Sequence, residues 1–399
     1  MSWEKVPIKD VCEGIYDGPH ATPPLSESGA IFLGIQNFKN GRLDFSDVRY
    51  ISEEDLLIWT KRVIPQAGDI VFSYEATLNL YAIIPAGFRG CLGRRMALIR
   101  VDKNKINYRY LYYYLHSPTW KAVIAENTVT GATVDRIPLI RFPDFEIELP
   151  PLDVQNNIAD ILSAYDDLIE NNQRQIKLLE EATMRLYREW FVFMRFPGHE
   201  SVRIVDGVPE GWEKKKVSSI MKFVKGKNLG DVSFEKLDGY EKLLLLDGLE
   251  SDVTTYACAE KQVLAKDGDI LMLMDGARSS HTFITDAGIV GSTLSLIEIT
   301  ENQIPVSYVK GYFDANLNLF VNNNTGSAIP HANRKFIEGS DILIPKLQLL
   351  ENYDNISGVF LKRVRSLNHM NQQLRISRDA LLPRLMNGGE GLKLEGGAV

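Results

Sequence analysis

The sequence has few cysteines and no long apolar run. Its three cysteines, Cys12, Cys91 and Cys258, are scattered through 399 residues, which is too sparse for a disulfide framework or a zinc site. No run of eighteen apolar residues occurs, and no charged segment followed by an apolar one opens the chain. These absences predict a protein of the reducing cytoplasm, with no membrane span, no secretory signal and no bound metal.

Motifs that mark common catalytic sites are also missing. There is no Gly-x-Gly-x-x-Gly, Walker loop, His-Glu-x-x-His or Gly-x-Ser-x-Gly. The paired prolines in Thr22-Pro23-Pro24-Leu25 and Leu149-Pro150-Pro151-Leu152 lack the preceding Asn or Asp that is typical of amino-methyltransferases. The sequence therefore predicts no catalytic residues and no cofactor, and it favours a binding protein.

An excess of basic charge is absent as well. The net charge is −7, which argues against nonspecific binding to a polyanion. Recognition of a nucleic acid through local basic loops, or with help from a partner protein, remains open. The length predicts more than one domain.

One long stretch in the middle of the chain is free of proline and glycine. Between Pro151 and Pro197 neither residue type occurs, and ten positions recur at alternating steps of four and three. This spacing places the ten side chains on one stripe of an α-helix, which a second helix would cover. Asn172 is the clear polar break. The stripe comprises Ile158, Leu162, Tyr165, Ile169, Asn172, Ile176, Leu179, Thr183, Leu186 and Trp190.

The second half of the chain repeats the first. Early matches are offset by 200 to 209 residues, whereas later ones keep a constant offset of 195. Variable front parts followed by matching helical ends predict a scaffold that presents two changeable modules. The matches include Trp3-Glu4-Lys5 with Trp212-Glu213-Lys214, Gly68-Asp69-Ile70 with Gly268-Asp269-Ile270, and Thr130-Gly131 with Thr325-Gly326.

The constant offset predicts a second long helix near the C-terminus. Residues 153–190 carry eight acidic and four basic side chains, whereas residues 348–386 carry three acidic and six basic ones. Opposite net charge favours pairing of the two helices. The predicted stripe of the second helix comprises Phe360, Val364, Leu367, Asn371, Leu374 and Leu381.

Each of the two stripes contains one asparagine. Asn172 aligns with Leu367, and Asn371 aligns with Ile176. In an antiparallel pair the two asparagines could meet and fix the register, at some cost in stability. Alternatively, one or both point to solvent, and the sequence leaves both interpretations open.

Outside the long helices, each half is rich in short β-type runs between turn residues. Shorter helices are predicted over Glu53–Thr60 and over Tyr108–Glu126, the second interrupted by Pro118. The predicted fold is α+β, with two similar strand-rich domains joined by two long antiparallel coiled-coil helices. The linker is predicted at residues 196–211. The predicted boundaries are 1–149 for the first domain, 150–195 for the central helix, 196–345 for the second domain and 346–390 for the C-terminal helix.

Polar and basic loops fall at equivalent places in the two halves. Small hydroxyl residues and backbone amides beside Arg or Lys suit phosphate oxygens, and Asn, Arg and His can reach base edges. An ordinary solvated turn has the same composition. The predicted DNA-binding residues are His20, Thr22, Tyr74, Thr77, Arg94, Arg95, Thr130, Thr133, Arg136, Lys225, Lys227, Arg278, Ser280, His281, Ser327, His331, Asn333 and Arg334.

The order of several segments resembles the specificity subunits of Type I restriction-modification systems over nearly the whole chain. No single motif decides this, but their order and the duplication are specific. The early part of the second module, residues 217–267, departs from the family pattern. The segments are Tyr50-Ile51-Ser52-Glu53-Glu54, the Tyr110–Tyr114 run, Thr130-Gly131 before Ile137-Pro138-Leu139, Leu149-Pro150-Pro151-Leu152 leading to Asn171-Asn172, Glu189-Trp190-Phe191-Val192, Pro209-Glu210-Gly211-Trp212 and Leu381-Leu382-Pro383-Arg384-Leu385.

The resemblance implies a non-catalytic subunit with two target-recognition domains, each of which reads one half of a bipartite site in double-stranded DNA. It also implies assembly with two methyltransferase subunits, which carry out adenine methylation, and with restriction subunits, which cleave. A helix of about 38 residues would be roughly 57 Å long. That length would suffice for half-sites about one duplex turn, roughly 34 Å, apart.

Two other functions stay open from the sequence. The chain could be an enzyme whose active site lies between the two modules, although the missing motifs disfavour this. It could also be a coiled-coil assembly scaffold that binds proteins and never DNA. Sequence-dependent DNA binding, with or without a methyltransferase partner, separates the scaffold from the specificity subunit.

Overall fold

The computed structural model describes residues 3–131, 134–245 and 254–387. The chain divides into two compact units, Met1–Asp167 with Ser377–Val399 and Leu168–Ile376. Each unit contains a strand-rich body and a part of each of two long helices. Thr133, one of the predicted DNA-binding residues, lies outside the described residues.

Nine α-helices occur in the described ranges. Side chains cap several of them: Ser52 accepts from the backbone of Asp55, and Asn107 and Ser117 cap the next two helices. Ser117 is extended, as expected for a residue that precedes proline, so the predicted helix over Tyr108–Glu126 is two helices that meet at Pro118. The helices are α1 (Glu53–Trp59), α2 (Tyr108–His116), α3 (Pro118–Asn127), α4 (Leu152–Tyr187), α5 (Val217–Ile220), α6 (Val306–Ala315), α7 (Leu317–Asn322), α8 (Arg334–Gly339) and α9 (Leu347–Met386).

The first unit is built on a four-stranded antiparallel sheet with the order β2-β10-β7-β8. A second sheet has the order β6-β3-β9, with β3 and β9 parallel, and β1 pairs with β11. The strands are β1 (Glu4–Pro7), β2 (Cys12–Asp17), β3 (Ala30–Leu33), β4 (Phe38–Lys39), β5 (Arg42–Leu43), β6 (Arg49–Ile51), β7 (Ile70–Ser73), β8 (Tyr81–Ile83), β9 (Gly90–Leu92), β10 (Met96–Val101) and β11 (Glu146–Leu149).

The second unit has the same plan. Its four-stranded sheet has the order β15-β23-β20-β21, β14 pairs with β24, and β17 runs parallel to β22 in a five-stranded sheet, β16-β18-β17-β22-β19. The strands are β12 (Ile204–Val205), β13 (Val208–Pro209), β14 (Glu213–Lys216), β15 (Met221–Lys225), β16 (Val232–Ser233), β17 (Tyr240–Leu244), β18 (Tyr256–Cys258), β19 (Leu264–Ala265), β20 (Ile270–Leu273), β21 (Thr282–Ile284), β22 (Gly288–Val290), β23 (Leu294–Ile299) and β24 (Asp341–Ile344).

The two long helices pack against each other in each unit. In the first unit, Leu162 near the start of α4 shares a core with Leu385 at the end of α9. In the second unit, Tyr187 at the end of α4 shares a core with Leu350 and Tyr353 near the start of α9. The start of each helix therefore meets the end of the other, and the pair is antiparallel. The predicted fold class, α+β with two similar strand-rich parts and two long antiparallel helices, is confirmed.

Residues 196–211 are more ordered than a polar linker. Phe196 is 5% exposed and packs against Trp212 in a tilted arrangement, with ring centroids 5.1 Å apart. Strands β12 and β13 form a hairpin within the same stretch. The apolar ring at its start ties this segment into the core of the second unit, because burial of Phe is favourable.

None of the helices in the described part of the chain combines the length and the hydropathy that crossing a bilayer requires. In the same ranges, no three His, Cys, Asp or Glu side chains are grouped to hold a metal ion.

Candidate nucleic-acid interface

Loops of the first unit converge at one end of its four-stranded sheet. Strand β10 is antiparallel to β2 and β7, with Ala97 opposite Asp17 and Met96 opposite Ser73. The ends of β2 and β7 therefore lie beside the start of β10, where Gly18 N donates to Met96 O at 2.9 Å. We call the segments that meet here the first loop cluster: residues 18–22, 74–77, 93–95, 129–131 and 134–137.

Arg136 lies in the middle of this cluster, and hydrogen bonds of its backbone fix its position. Its N–H and C=O both bond to Val129, at 3.1 and 2.9 Å, and the next residue, Ile137, donates to Tyr74 O at 2.7 Å. The backbone of Arg136 also forms a β-bridge with Glu75. Its side chain is exposed. A rigid backbone thus presents an accessible guanidinium group.

The second unit builds the same arrangement. Gly226 N donates to Leu294 O at 2.9 Å, and Met274 N donates to Thr293 O at 2.8 Å. These bonds connect the end of β15, the end of β20 and the start of β23. We call residues 226–228, 274–276, 291–293 and 325–334 the second loop cluster.

His331 occupies the position in this cluster that Arg136 has in the first. Its N–H and C=O bond to Thr325, at 2.7 and 2.8 Å, and its backbone forms a β-bridge with Asp275. The next residue, Ala332, donates to Met274 O at 2.8 Å. The two positions differ by the 195 residues that relate the rest of this region.

Tyr74 has a structural role instead of the predicted contact with DNA. The side chain is 5% exposed, and its hydroxyl donates to Arg94 O at 2.8 Å. The same hydroxyl lies 3.3 Å from His20 Nδ1. Burial, with a contribution from nearby Asp17, raises the pKa of Tyr74 to about 12. Tyr74 therefore ties three segments of the first loop cluster together.

Most other predicted residues of the first unit are accessible at the cluster. Arg95 is half-buried and pairs with Glu75 at 3.4 Å. The exposed predicted residues are His20, Thr22, Thr77, Arg94, Thr130 and Arg136.

A groove of about 250 Å³ contains two polar residues that the sequence did not single out. Gln36 and Arg49 line it together with Thr22, Arg94 and Arg95. Gln36 follows β3 and Arg49 is the first residue of β6, in a region that carries no loop motif. Only the packing of this region beside β10 reveals their proximity to the predicted residues.

Acidic and basic groups alternate in the second loop cluster. The Asp275 carboxylate accepts from His331 Nδ1 at 2.7 Å and lies 3.6 Å from Lys225 Nζ. Lys227 and Ser327 are exposed. Two predicted residues take part in α8: Asn333 caps it by accepting from Phe336 N at 3.2 Å, and Arg334 pairs with Glu338 at 2.7 Å. Both residues therefore stabilise the end of the loop at which α8 begins.

Three predicted residues of the second unit are not accessible at the cluster. Ser280 is fully buried, and its hydroxyl donates to Asn324 Oδ1 at 2.8 Å, so a contact with DNA is ruled out by packing. Arg278 and His281 line a cleft of about 770 Å³ together with Thr183 of α4 and Lys310 of α6. The turn after β20 folds back toward the helices, which sequence composition does not indicate.

All predicted stripe positions of the two helices are buried or half-buried. In the second unit Asn172 Nδ2 donates to Asn371 Oδ1 at 2.9 Å, and the side chains are 4% and 3% exposed. The fully or nearly buried positions are Ile158, Leu162, Ile169, Asn172, Thr183, Trp190, Val364, Leu367 and Asn371, and the half-buried ones are Tyr165, Ile176, Leu179, Leu186, Phe360, Leu374 and Leu381.

A carboxylate of α4 anchors the strand-rich body of the first unit. Asp166 is 7% exposed and accepts from Arg378 Nη1 at 2.5 Å and from Tyr113 Oη at 2.6 Å. Arg42 Nη2 donates to the backbone oxygen of Asp166 at 2.7 Å. Burial and the Asp166 charge raise the pKa of Tyr113 well above its usual value. The sequence did not reveal this buried cluster, since Asp166 sits among residues typical of an exposed helix face.

In the second unit the acidic residue, Asp286, is in the strand-rich body, and two of its three basic partners are on α9. His369 Nε2 and Arg365 Nη2 of α9 lie 2.8 and 3.0 Å from Asp286, and Lys242 of β17 is 3.6 Å away. Burial raises the pKa of Asp286, but the hydrogen bonds from His369 and Arg365 outweigh it and hold the pKa below its usual value.

The two loop clusters offer hydrogen-bonding groups on fixed backbones. Exposed hydroxyl, guanidinium and ammonium groups suit phosphate oxygens, while Arg136 and His331 carry the functional groups that recognise base edges. Neither cluster pairs a nucleophile with a base in the geometry that covalent catalysis requires. That statement holds for the segments that the structure describes.

Comparison with known proteins gives a consistent result. Residues 1–181 match the family described as the Type I restriction modification DNA specificity domain. A relative from Methanocaldococcus jannaschii, the Type I restriction enzyme MjaIX specificity subunit, is 24% identical over 358 residues, which are 85% of this chain and 81% of that protein. The putative type I restriction enzyme MjaX specificity subunit of the same organism is 29% identical over 248 residues, 59% of this chain and 56% of that protein.

The fold is similar to that of a solved specificity subunit. The S subunit of a Type-I restriction-modification system from M. genitalium has a TM-score of 0.60 at 15% identity, with 97% of this chain and 96% of that chain covered. The prediction of a specificity subunit agrees with the names of these relatives. The resemblance predicted from the sequence is thereby confirmed, and residues 1–181 are similar to the Type I restriction modification DNA specificity domain.

Proposed function

We propose that this chain is the sequence-specific DNA-recognition subunit of a Type I restriction-modification complex. It reads a bipartite site in double-stranded DNA and directs adenine methylation or restriction by partner subunits in the cytoplasm. The observation that carries the proposal is the pair of similar loop clusters, in which Arg136 and His331 occupy equivalent, backbone-pinned positions.

Two such clusters fit a site with two halves. Each loop cluster is attached to a four-stranded sheet, so the side chains that contact bases are held on a rigid support. Specific recognition of base edges needs such placement, whereas phosphate contacts chiefly set register and orientation. The boundaries 1–149, 150–195, 196–345 and 346–390 and the internal repeat remain part of this proposal, with one recognition domain per half-site.

Partner subunits are needed for two physical reasons. The net charge of −7 disfavours strong binding to DNA by the chain alone, since affinity for duplex DNA rises with the number of phosphates that cations neutralise. Moreover, seven large apolar side chains are exposed on the long helices of the second unit, and we propose that partner proteins cover them. They are Leu168, Leu178, Leu347, Ile356, Val359, Met370 and Ile376.

We therefore propose two methyltransferase subunits and the restriction subunits as partners. The methyltransferase subunits would supply the adenine chemistry and part of the phosphate contacts. Restriction subunits would supply cleavage.

Methylome sequencing of a host with and without this chain tests the function. A methylated bipartite motif should appear only when the chain is co-expressed with the methyltransferase subunits of its system. Gel shifts with and without those subunits provide the second readout. Lack of any sequence preference in both conditions would instead support a protein-only coiled-coil scaffold.

Module exchange tests the assignment of halves. Replacing residues 1–148 by the corresponding part of another family member should change one half of the methylated motif and leave the other half intact. A change in both halves would contradict independent recognition by the two domains.

A further inference from the structure

We propose that Asp275 fixes the His331 ring as a hydrogen-bond acceptor, so that the second loop cluster recognises the exocyclic amino group of an adenine or a cytosine. The inference rests on the proposed function and adds the chemical group that one position reads. Asp275 would be a positioning residue and His331 the residue that contacts the base.

Two neighbouring segments fix the location of His331. Its backbone is bonded on one side to Thr325, and on the other side it forms a β-bridge with Asp275. Gly276 N donates to Pro330 O at 2.9 Å, which closes the same ladder. The His331 side chain nevertheless remains 48% exposed, whereas that of Asp275 is 29% exposed. The acid is therefore set back in the loop, and the imidazole is accessible.

The pairing determines which ring nitrogen carries the hydrogen. An ionised carboxylate has no hydrogen to donate, so the 2.7 Å contact between Asp275 Oδ1 and His331 Nδ1 requires an N–H at Nδ1. In the neutral ring, Nε2 then has the free lone pair and accepts. The other carboxylate oxygen lies 3.6 Å from Lys225 Nζ, so the acid is held between the imidazole and an ammonium group.

An acceptor at this position selects among bases. In the major groove, adenine and cytosine present amino groups that donate, whereas guanine and thymine present only acceptors at the corresponding place. Arg136, at the equivalent position of the first unit, is a pure donor and suits the two acceptors of guanine. The same backbone position would therefore read opposite hydrogen-bonding patterns in the two half-sites.

The test uses the full chain assembled with the methyltransferase subunits and a duplex that carries the methylated motif. Each adenine or cytosine amino group of the second half-site is removed in turn, with purine in place of adenine and 2-pyrimidinone in place of cytosine. Binding is measured at about pH 8, where histidine in general is neutral. Removal of one amino group should weaken binding of the unsubstituted protein by about tenfold or more.

Binding by the variant His331→Ala should no longer weaken when that one amino group is removed. Removal of the other amino groups should affect this variant as it affects the unsubstituted protein. Asp275→Asn should reduce the response at the same base pair, because an amide can accept from Nδ1 or donate to it and so no longer imposes one tautomer. A merely structural role of Asp275 would instead weaken binding to all duplexes alike. Arg136→Ala should alter discrimination only in the other half-site.

His369→Ala is the matched control, since His369 is bonded to Asp286 at 2.8 Å on α9 and away from the loop cluster. Base discrimination by this variant should equal that of the unsubstituted protein. The inference is overturned if removal of each amino group weakens binding by His331→Ala as much as binding by the unsubstituted protein. It is also overturned if Asp275→Asn retains full discrimination. Failure of the proposed function looks different, because the unsubstituted complex would then bind all duplexes equally.

Discussion

Asn172 and Asn371 meet across the antiparallel helix pair, with Nδ2 of the first donating to Oδ1 of the second at 2.9 Å. Of the two arrangements that the sequence leaves open, the structure therefore has the one in which the asparagines contact each other. The 195-residue repeat relates this layer to Ile176 and Leu367. In an antiparallel pair whose register is set by the two asparagines, Ile176 is level with Leu367, four positions along each helix.

Replacing one asparagine should cost more than replacing both. Asn172→Leu leaves the buried amide of Asn371 without a partner, which should reduce the free energy of unfolding by about 1–3 kcal/mol. The double variant Asn172→Leu with Asn371→Leu should regain most of that loss, because two apolar residues can pack there without an unsatisfied polar group. Hydrogen exchange of the α4 amides in the second unit measures the local stability of each variant. Additive losses in the double variant would mean that the two amides do not interact.

A charge in the buried stripe should disrupt the helix pair according to burial. Leu367 is fully buried, whereas Val359 on the same helix is 58% exposed. Leu367→Asp should therefore destabilise the second unit by about 3–5 kcal/mol or prevent its folding, because a buried, unpaired carboxylate is costly. Val359→Asp is the matched control and should change the unfolding free energy by less than about 0.5 kcal/mol. Calorimetry of the two variants distinguishes the stripe from the outer face, and similar losses for both would show that Leu367 is not part of a packed seam.

Periodicity accounts for what the sequence predicts best. The helix stripe could be predicted because each position depends on neighbours three and four residues away. The burial of individual polar residues could not be predicted, because it depends on contacts between distant parts of the chain. Asp166 is bonded to Arg378, 212 residues further along the chain, and Ser280 is bonded to Asn324. Loop composition predicted Arg136, His331 and Tyr74 alike as DNA-binding residues, and it could not show that the Tyr74 hydroxyl is used inside the cluster.

The basic side chains around Asp286 predict a stabilising contact between α9 and the strand-rich body of the second unit. Asp286→Asn removes the charge shared by Arg365, His369 and Lys242, and we expect a loss of about 1–2 kcal/mol because hydrogen bonds to charged groups are lost. The folded-state pKa of Asp286 is below its usual value, so this stabilisation is present above about pH 4 and is lost as the pH falls through the folded-state value.

Urea unfolding at neutral and acidic pH measures the contribution of Asp286. The difference between the unsubstituted protein and Asp286→Asn should shrink as the carboxylate is protonated. Lys236→Ala is a suitable control, since Lys236 pairs with Glu241 in the same unit with both side chains more than half exposed, and exposed pairs contribute little. A pH-independent difference for Asp286→Asn would show that its charge is not what stabilises the contact.

His116 predicts a second pH dependence, in the first unit. Its ring packs against Tyr112 and Tyr81, with centroids 4.7 and 5.6 Å away. Burial, together with the charges of Lys121 and Arg378, lowers the pKa of His116 to about 4. As the pH falls below the usual histidine value of about 6.5, the unfolded chain takes up a proton before the folded one does. The stability that depends on neutral His116 is therefore complete above that value and is lost on the way down to the folded-state pKa.

The expected slope from this one group is at most about 1.4 kcal/mol per pH unit. His116→Phe keeps an aromatic ring and removes the titrating group, so its unfolding free energy should fall less between pH 6.5 and 4 than that of the unsubstituted protein. His20→Gln removes a histidine of the same unit whose side chain is 62% exposed, and this control should retain the decline. Parallel pH profiles for the unsubstituted protein and His116→Phe would show that the ring is not held neutral by burial, because a titrating group at that position must make the two profiles diverge.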